Sequence, residues 1–247
     1  MCCIKKILLK NFFIYCFLFL SVIYSSALLG QEEPIVSVPS QTSEIPSLPK
    51  QYYFLSPRVS VTVPHPMSNK AFKKCFVGIY EVSGGLNFMY YKGLFIGASY
   101  KNGLLKITEN KITDFNASMK INNVALKLGV DSYLGENNRV VFSSAISVGQ
   151  NWTKYLGLHT KDQTKHPALT EYQSIFVEPE INLFFLVESN FGIGATLSYS
   201  IFDKNFDPYE LALNDWTSFQ NIKPGSTTYL SFGFGFYYSL IAKKKQK

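Results

Sequence analysis

Residues 229–240 read Tyr-Leu-Ser-Phe-Gly-Phe-Gly-Phe-Tyr-Tyr-Ser-Leu. Bulky apolar side chains occupy every second position, and mostly small or polar residues lie between them. Successive side chains of a strand point to opposite faces, so this stretch predicts a strand with one wholly apolar face and one small, polar face. A soluble sheet buries such a face against a second layer, whereas a membrane barrel turns it toward lipid.

The same period-two alternation runs through the chain from residue 52 onward, and no window shows a convincing long helical stripe. It predicts about eight strands, near residues 52–63, 76–91, 94–107, 119–134, 139–153, 172–187, 190–202 and 227–241. The chain therefore offers no second layer for the apolar faces, and lipid is their predicted surrounding.

The connections between these strands alternate between short and long. Short turns are predicted at residues 92–93, 135–138 and 188–190, and long loops at 64–75, 108–118, 154–171 and 203–226. Barrels of the bacterial outer membrane have this pattern, with short periplasmic turns and longer external loops. The predicted fold is an all-β, transmembrane, antiparallel up-and-down barrel of about eight strands, with both chain ends on the periplasmic side.

The first 30 residues have the pattern of a secretory signal peptide. Three lysines precede an apolar run at 12–24, and small residues follow it. An uncleaved anchor is the alternative, but this run is short for a membrane span of about 20 residues. The predicted organisation is a signal peptide at 1–30, a proline-rich periplasmic linker at 31–51, the barrel at 52–242 and a basic periplasmic tail at 243–247.

Charge and cysteine content narrow the function classes. The formal net charge is +7, but lysines of the signal and the tail supply most of the excess. No basic stripe is interleaved with aromatic residues in a recognisable module, so no nucleic-acid partner is predicted. Cys75 is the only cysteine after the signal peptide, which excludes an internal disulfide.

The chain resembles small eight-stranded outer-membrane barrels, such as the transmembrane domain of outer-membrane protein A and the X and opacity proteins. The final strand has their pattern polar-x-Gly-x-x-apolar-x-apolar in Ser231, Gly233, Phe236 and Tyr238. The resemblance implies that the outer-membrane assembly machinery reads these residues as a signal. Such barrels often end on an aromatic residue, whereas this chain continues into a lysine tail. The Asn-, Lys- and aromatic-rich composition also resembles barrels of the Bacteroidetes.

Alternation places seven charged residues on the inner face of the predicted barrel: Arg58, Glu81, Lys101, Lys127, Asp131, Glu178 and Glu180. An eight-stranded barrel is just wide enough for side chains to fill it, and buried charges must be paired. The sequence therefore predicts a salt-bridged plug that closes the lumen. A small gated pore or proton path through Glu178, Glu180 and Lys127 is the alternative.

The last long loop contains the clearest candidate for partner binding. Asp207-Pro208-Tyr209-Glu210 resembles a helix start, and a helix to about residue 216 would place Tyr209, Leu213 and Trp216 on one side. That side would either pack over the barrel mouth or bind a protein partner or glycan. The four acidic residues Asp203, Asp207, Glu210 and Asp215 lack the spacing of a calcium loop.

Other surface residues predict contacts with the membrane. Aromatic girdles at the lipid boundaries are predicted from Tyr90, Tyr91, Trp152 and Tyr155. Lysines in or near the external loops either pair with lipopolysaccharide phosphates or are simply solvated: Lys70, Lys73, Lys74, Lys154, Lys161 and Lys165.

No catalytic constellation is recognisable. The histidines, His65, His159 and His166, all fall in predicted loops, and no Gly-x-Ser-x-Gly motif is present. No catalytic residue, metal or cofactor is predicted, and a lipid hydrolase or acyltransferase is the less favoured alternative. The expected protein is a non-catalytic barrel of the Gram-negative outer membrane with an envelope-structural or surface-interaction role. The alternative is an accessory subunit of a secretion, adhesion or transport complex that binds through its external loops.

Overall fold

The structure is a computed structural model and describes residues 54–107, 118–135, 138–156, 171–211, 213 and 222–240. The predicted signal peptide, linker and basic tail lie outside these residues, as do 108–117 and 157–170 of two long loops. Their assignments stay predictions.

Eight antiparallel strands form one closed barrel in which each strand pairs with the next and the last pairs with the first. The strands are β1 (Leu55–Pro66), β2 (Phe76–Tyr91), β3 (Leu94–Ile107), β4 (Ser118–Leu134), β5 (Val140–Leu156), β6 (Glu171–Leu186), β7 (Phe191–Phe206) and β8 (Gly225–Tyr238). A helix α1 (Lys70–Cys75) and a 3-10 helix (Pro208–Leu211) lie in connections. The predicted all-β, eight-stranded, up-and-down barrel is confirmed. Within the described residues, no helix has the length and apolarity needed to cross a membrane.

The short connections all lie at one end of the barrel, here called the turn end. Lys92 and Gly93 join β2 to β3 with φ values of 33° and 96°; positive φ at both central residues matches the twist of a tight hairpin. A Cβ on Gly93 would lie only 2.4 Å from the carbonyl oxygen of Asp131. Phe54 and Leu240 are hydrogen-bonded at the same end. The opposite end is called the loop end.

Several strands continue beyond their predicted bounds at the loop end. β5 extends to Leu156 and β7 to Phe206, because inward-facing residues such as Tyr155 and Phe206 are still buried there. Tyr155 therefore belongs to the interior, and its predicted place in an aromatic girdle is wrong. Tyr90, in contrast, is 88% exposed at the turn end.

β1 also extends into a predicted loop and includes His65. Pro64 and Pro66 flank this histidine, and a loop was predicted at 64–75. β1 pairs with β2 only as far as Thr62, while its pairing with β8 continues to Pro66. The prolines are tolerated because one neighbouring ladder has already ended.

The outer wall is apolar and uncovered. Leu126 and Phe234 are 71% exposed, and Leu128 and Phe232 are 59% exposed. Ser231 and Gly233, which alternate with Phe232 and Phe234 on β8, face inward and are buried. This is the predicted division of the two faces.

The loop end of the lumen is filled by an apolar cluster that includes α1. Ala71, Phe72 and Cys75 of this helix are buried, whereas its lysines are exposed. The ring of Phe72 lies 5.4 Å from the rings of both Phe76 and Phe206. The cluster also takes residues from most strands: Leu105, Ile107, Met119, Ile121, Tyr155, Phe176, Phe202 and Tyr229.

A smaller cluster fills the turn end and consists of Val141, Phe184, Leu186 and Tyr237. Apolar clusters therefore lie toward both ends of the lumen, with a polar middle between them.

Candidate functional site

The polar middle of the lumen is the candidate site, and β4 shows the order of its layers. Its inward residues, from the turn end, include Asp131, Lys127, Asn123 and Ile121, all of them buried. Each belongs to a different layer of contacts. Because every second side chain of each strand points into the lumen, neighbouring strands contribute the partners in each layer.

The layer nearest the turn end is built around Arg58. Its guanidinium forms an ion pair with Asp131 and donates to Ser143 Oγ at 2.6 Å. The same group lies 5.0 Å from the ring centroid of Phe95, 5.1 Å from that of Tyr237 and 5.6 Å from that of Phe184. Aromatic faces and a carboxylate thus replace the hydration of the buried cation.

Gly129 makes room for this layer. A Cβ at this position would lie 2.5 Å from Phe95 Cζ and 2.5 Å from the Ser144 carbonyl oxygen. Only glycine lets the ring of Phe95 reach its place against Arg58.

The next layer contains the ion pair of Lys127 and Glu180, whose Nζ and Oε2 atoms are 2.8 Å apart. Asn182 donates to the other carboxylate oxygen of Glu180 at 2.7 Å. A cavity of about 20 Å³ adjoins this pair and is lined by polar and small residues that include Ser60, Ser83 and Thr196. That volume has room for about one water molecule.

The third layer contains one cation between two carboxylates. Lys101 Nζ donates to both carboxylate oxygens of Glu178 at 2.8 Å and lies 3.0 Å from Glu81 Oε1. Ser200 donates to Glu178, and Thr62 donates to Glu81 at 3.0 Å. Both glutamates are almost completely buried, and Lys101 pairs with carboxylates of two strands at once.

The layer toward the loop end is uncharged. Asn151 donates to Asn123 at 2.6 Å and accepts from Thr153 and Ser174 at 2.7 and 3.1 Å. Sequence reasoning assigned no role to these residues, because amides and hydroxyls are ordinary on any lumen face. Their only signal was an inward position in consecutive strands.

The structure brings the seven charged residues predicted for the lumen into three separate ion-pair groups, which together contain all seven. No group of three or more His, Cys, Asp and Glu side chains within the described ranges has an arrangement that would hold a metal ion.

The residues of the predicted assembly signal lie on both faces of β8. Ser231 and Gly233 point into the lumen, and Phe236 and Tyr238 are 48% and 40% exposed on the outer wall. β8 ends at Tyr238, earlier than the predicted residue 241.

The predicted helix in the last long loop differs from the one found. Asp207 caps it as expected, with its side chain accepting from the Tyr209 backbone at 2.9 Å, but the element is a 3-10 helix of four residues. In a 3-10 helix residues three apart share a side, so Pro208 and Leu211 are buried while Tyr209 is 52% exposed. Leu213 is fully buried. Tyr209 and Leu213 therefore do not form one exposed face, and Trp216 lies outside the described residues.

Of the histidines, His65 lies within the described residues and is exposed on the outer side of β1, opposite Leu230. His159 and His166 lie outside the described residues. Cys75 is buried in the apolar cluster of the loop end.

Comparison with solved structures finds similar barrels at low sequence identity. Neisserial surface protein A is 9% identical with a TM-score of 0.49, and the match covers 75% of this chain and 97% of that one. Outer membrane protein OprG from Pseudomonas aeruginosa is 11% identical with a TM-score of 0.47, covering 78% and 98%. The attachment invasion locus protein of Yersinia pestis, in complex with a heparin analogue, is 11% identical with a TM-score of 0.40, covering 74% and 97%.

These proteins are small outer-membrane barrels, as the sequence resemblance implied. The predicted likeness to Bacteroidetes barrels is not supported. No protein-family model matches the sequence, and no curated protein matches it.

Proposed function

We propose that this protein is a non-catalytic barrel of the Gram-negative outer membrane, with a lumen closed by its own side chains and a structural or surface-interaction role in the envelope. The observation that carries the proposal is the combination of an exposed apolar wall with a filled interior. Exposed residues such as Leu126 and Phe234 have no protein cover, and lipid is the surrounding that suits them.

A filled lumen supports a structural role over transport. Apolar clusters lie at both ends, and three groups of ion pairs lie between them. An ion that crosses this interior would have to separate buried pairs, which is costly.

Conductance in a planar bilayer tests the closed lumen. Insertion is first verified by different gel mobilities of the unheated and boiled protein. This step ensures that a protein that has not inserted is not mistaken for one with a closed lumen. We expect negligible conductance from the inserted wild type under conditions in which a general porin conducts. A steady, large conductance would contradict the closed lumen and favour the pore.

The final strand supports a role of the assembly machinery in insertion. β8 completes the barrel by pairing with β1 from Arg58 to Pro66, and Phe236 and Tyr238 present aromatic surface outward. Replacing both with serine should reduce the inserted fraction in cells without affecting synthesis. The matched change of Val59 and Val61 to serine, also on the outer wall, should have a smaller effect.

Binding of a protein partner at the loop end is a second candidate, and the exposed ring of Tyr209 favours it. This ring is 52% exposed on a capped 3-10 helix at the surface. A pull-down with Tyr209→Ala, against Lys223→Ala as a control at another exposed loop-end position, tests this candidate. Equal partner recovery with both variants would leave Tyr209 without a binding role.

A further inference from the structure

One stretch of the outer wall is basic rather than apolar. Lys120 of β4 and Lys154 of β5 are exposed and lie directly opposite each other in the strand register. Both occupy outward positions, since they continue the alternating rows that contain Val124 and Val148. Lys106 projects outward from the adjacent strand β3.

This arrangement is unfavourable unless an anion is present. Like charges directly opposite on neighbouring strands destabilise a sheet. Glu171 lies opposite Lys154 on the other side, but within the described part of the chain neither Lys120 nor Lys154 takes part in an ion pair of 4.0 Å or less. Among the described residues, this one carboxylate opposes three ammonium groups, which leaves an excess of two positive charges.

The position of these lysines along the barrel axis indicates which kind of molecule carries the anion. β4 has 17 residues, whereas a strand needs about 9–11 residues to cross a membrane. Its apolar outer face runs from the turn end through Leu128 and Leu126 to Val124, and Lys120 follows after one further outward residue. The lysines therefore lie just beyond the apolar wall, where lipid head groups begin.

A band of amides separates the lysines from the apolar wall. Asn122 accepts from Asn102 at 2.7 Å and from the Tyr100 hydroxyl at 3.0 Å, and Gln150 donates to Gln173 at 3.0 Å. Side-chain amides that bond to each other on a lipid-facing wall mark the level at which the surroundings become polar. The anion is thus expected beside the wall, at head-group depth.

We propose that Lys106, Lys120 and Lys154 bind phosphate groups of lipopolysaccharide at the outer wall of the barrel. This inference rests on the proposed outer-membrane location. The three lysines are on adjacent strands, which lie about 4.8 Å apart, so they present a row of positive charge to a lipid that carries more than one phosphate. A phosphate at this row offsets the repulsion between Lys120 and Lys154 and fixes the lipid next to the apolar wall.

The test compares heat stability in two kinds of vesicle, phosphatidylcholine alone and phosphatidylcholine with lipopolysaccharide. The wild type is compared with the double variant Lys120→Gln and Lys154→Gln, and folded protein is followed by gel mobility. Without lipopolysaccharide the variant should unfold at the same temperature as the wild type or a higher one, because repulsion is removed. With lipopolysaccharide the wild type should gain stability, and the variant should gain less than half as much.

The control variant, Lys73→Gln with Lys74→Gln, removes the same charge from the exposed side of α1 at the same end of the barrel, and for these two lysines the proposal adopts the solvated alternative. It should keep the full gain with lipopolysaccharide. An equal loss in the control, or a wall variant that is less stable in both kinds of vesicle, would overturn the proposal.

The design separates this inference from the proposed function. If the wild type inserts in both vesicles and lipopolysaccharide stabilises all variants equally, the phosphate site is wrong and the barrel assignment stands. If the wild type inserts in neither, the outer-membrane assignment and the phosphate site fail together.

Discussion

The outer and inner faces of the same strands follow different rules. On β4, Leu126 and Leu128 are 71% and 59% exposed, while Lys127 between them is 9% exposed and paired with Glu180. A soluble protein has the reverse arrangement, with charge outside and leucine inside. The outer face requires only that residues be apolar, whereas each charged inner residue requires a particular partner. Substitutions on the inner face should therefore be more harmful and more specific.

The largest effect is expected when the shared cation of the lumen is removed. Lys101→Met leaves Glu81 and Glu178 close together without a cation, and breaking a buried ion pair costs about 3–5 kcal/mol. The free energy of unfolding in detergent, measured by denaturant titration, should fall by about this amount.

Two further variants test whether the loss of stability in Lys101→Met comes from the missing positive charge. Lys92→Met, at the exposed turn between β2 and β3, should leave stability nearly unchanged. Adding Glu178→Gln to Lys101→Met should restore part of the loss, because one of the two carboxylates is then neutral. If Lys101→Met were as stable as the wild type, the ion pairs would not hold the interior together.

A charge placed on the outer face should cost somewhat less. Leu128→Lys lies in the middle of the apolar wall of β4, and a lysine near the bilayer midplane costs about 2–4 kcal/mol. Unfolding titrations in lipid vesicles measure the effect. The matched change Leu134→Lys, at the turn end of the same strand, should cost about 0–1 kcal/mol. Equal costs at both positions would show that the cost of a lysine on the outer wall does not depend on its depth in the membrane.

The smallest effect is expected at the edge of the interior. Asn69 caps α1 by accepting from the backbone of Ala71 at 2.7 Å and of Phe72 at 3.4 Å. Losing such a cap costs about 1 kcal/mol, so Asn69→Ala should loosen α1 while the barrel remains closed. Faster amide hydrogen exchange in 70–75, with unchanged exchange in β4, is the expected result. Unchanged exchange in α1 would mean that the cap contributes nothing.

The strands and both of their faces were predictable because period-two alternation continues through each strand. Which charges pair was not, because Lys101 meets Glu178 across the lumen at a separation of 77 residues, and this depends on how far the strands are staggered. The strand ends at the loop end were predicted too early, because inward-facing residues remain buried there beyond the point where the apolar outer wall stops.

Two connections cover the loop end of the lumen, and the sequence indicated only one of them. A helix was predicted after Asp207, and Leu211 and Leu213 of that connection are buried in the loop-end cluster. The other connection contains α1, where Ala71, Phe72 and Cys75 form the buried side of only six residues. So short a segment, with three lysines, does not show a helical period in the sequence.

Two positions on opposite faces of β8 offer the most direct test that the apolar face meets lipid and the other face meets the protein interior. Tryptophan is placed either at Phe234, which is 71% exposed, or at Tyr237, which is 1% exposed, after both native tryptophans, Trp152 and Trp216, are changed to phenylalanine. Fluorescence is then measured in vesicles with and without brominated lipid. Strong quenching of Phe234→Trp with little quenching of Tyr237→Trp is the predicted result. Equal quenching at the two positions, or none at Phe234→Trp, would contradict the membrane barrel.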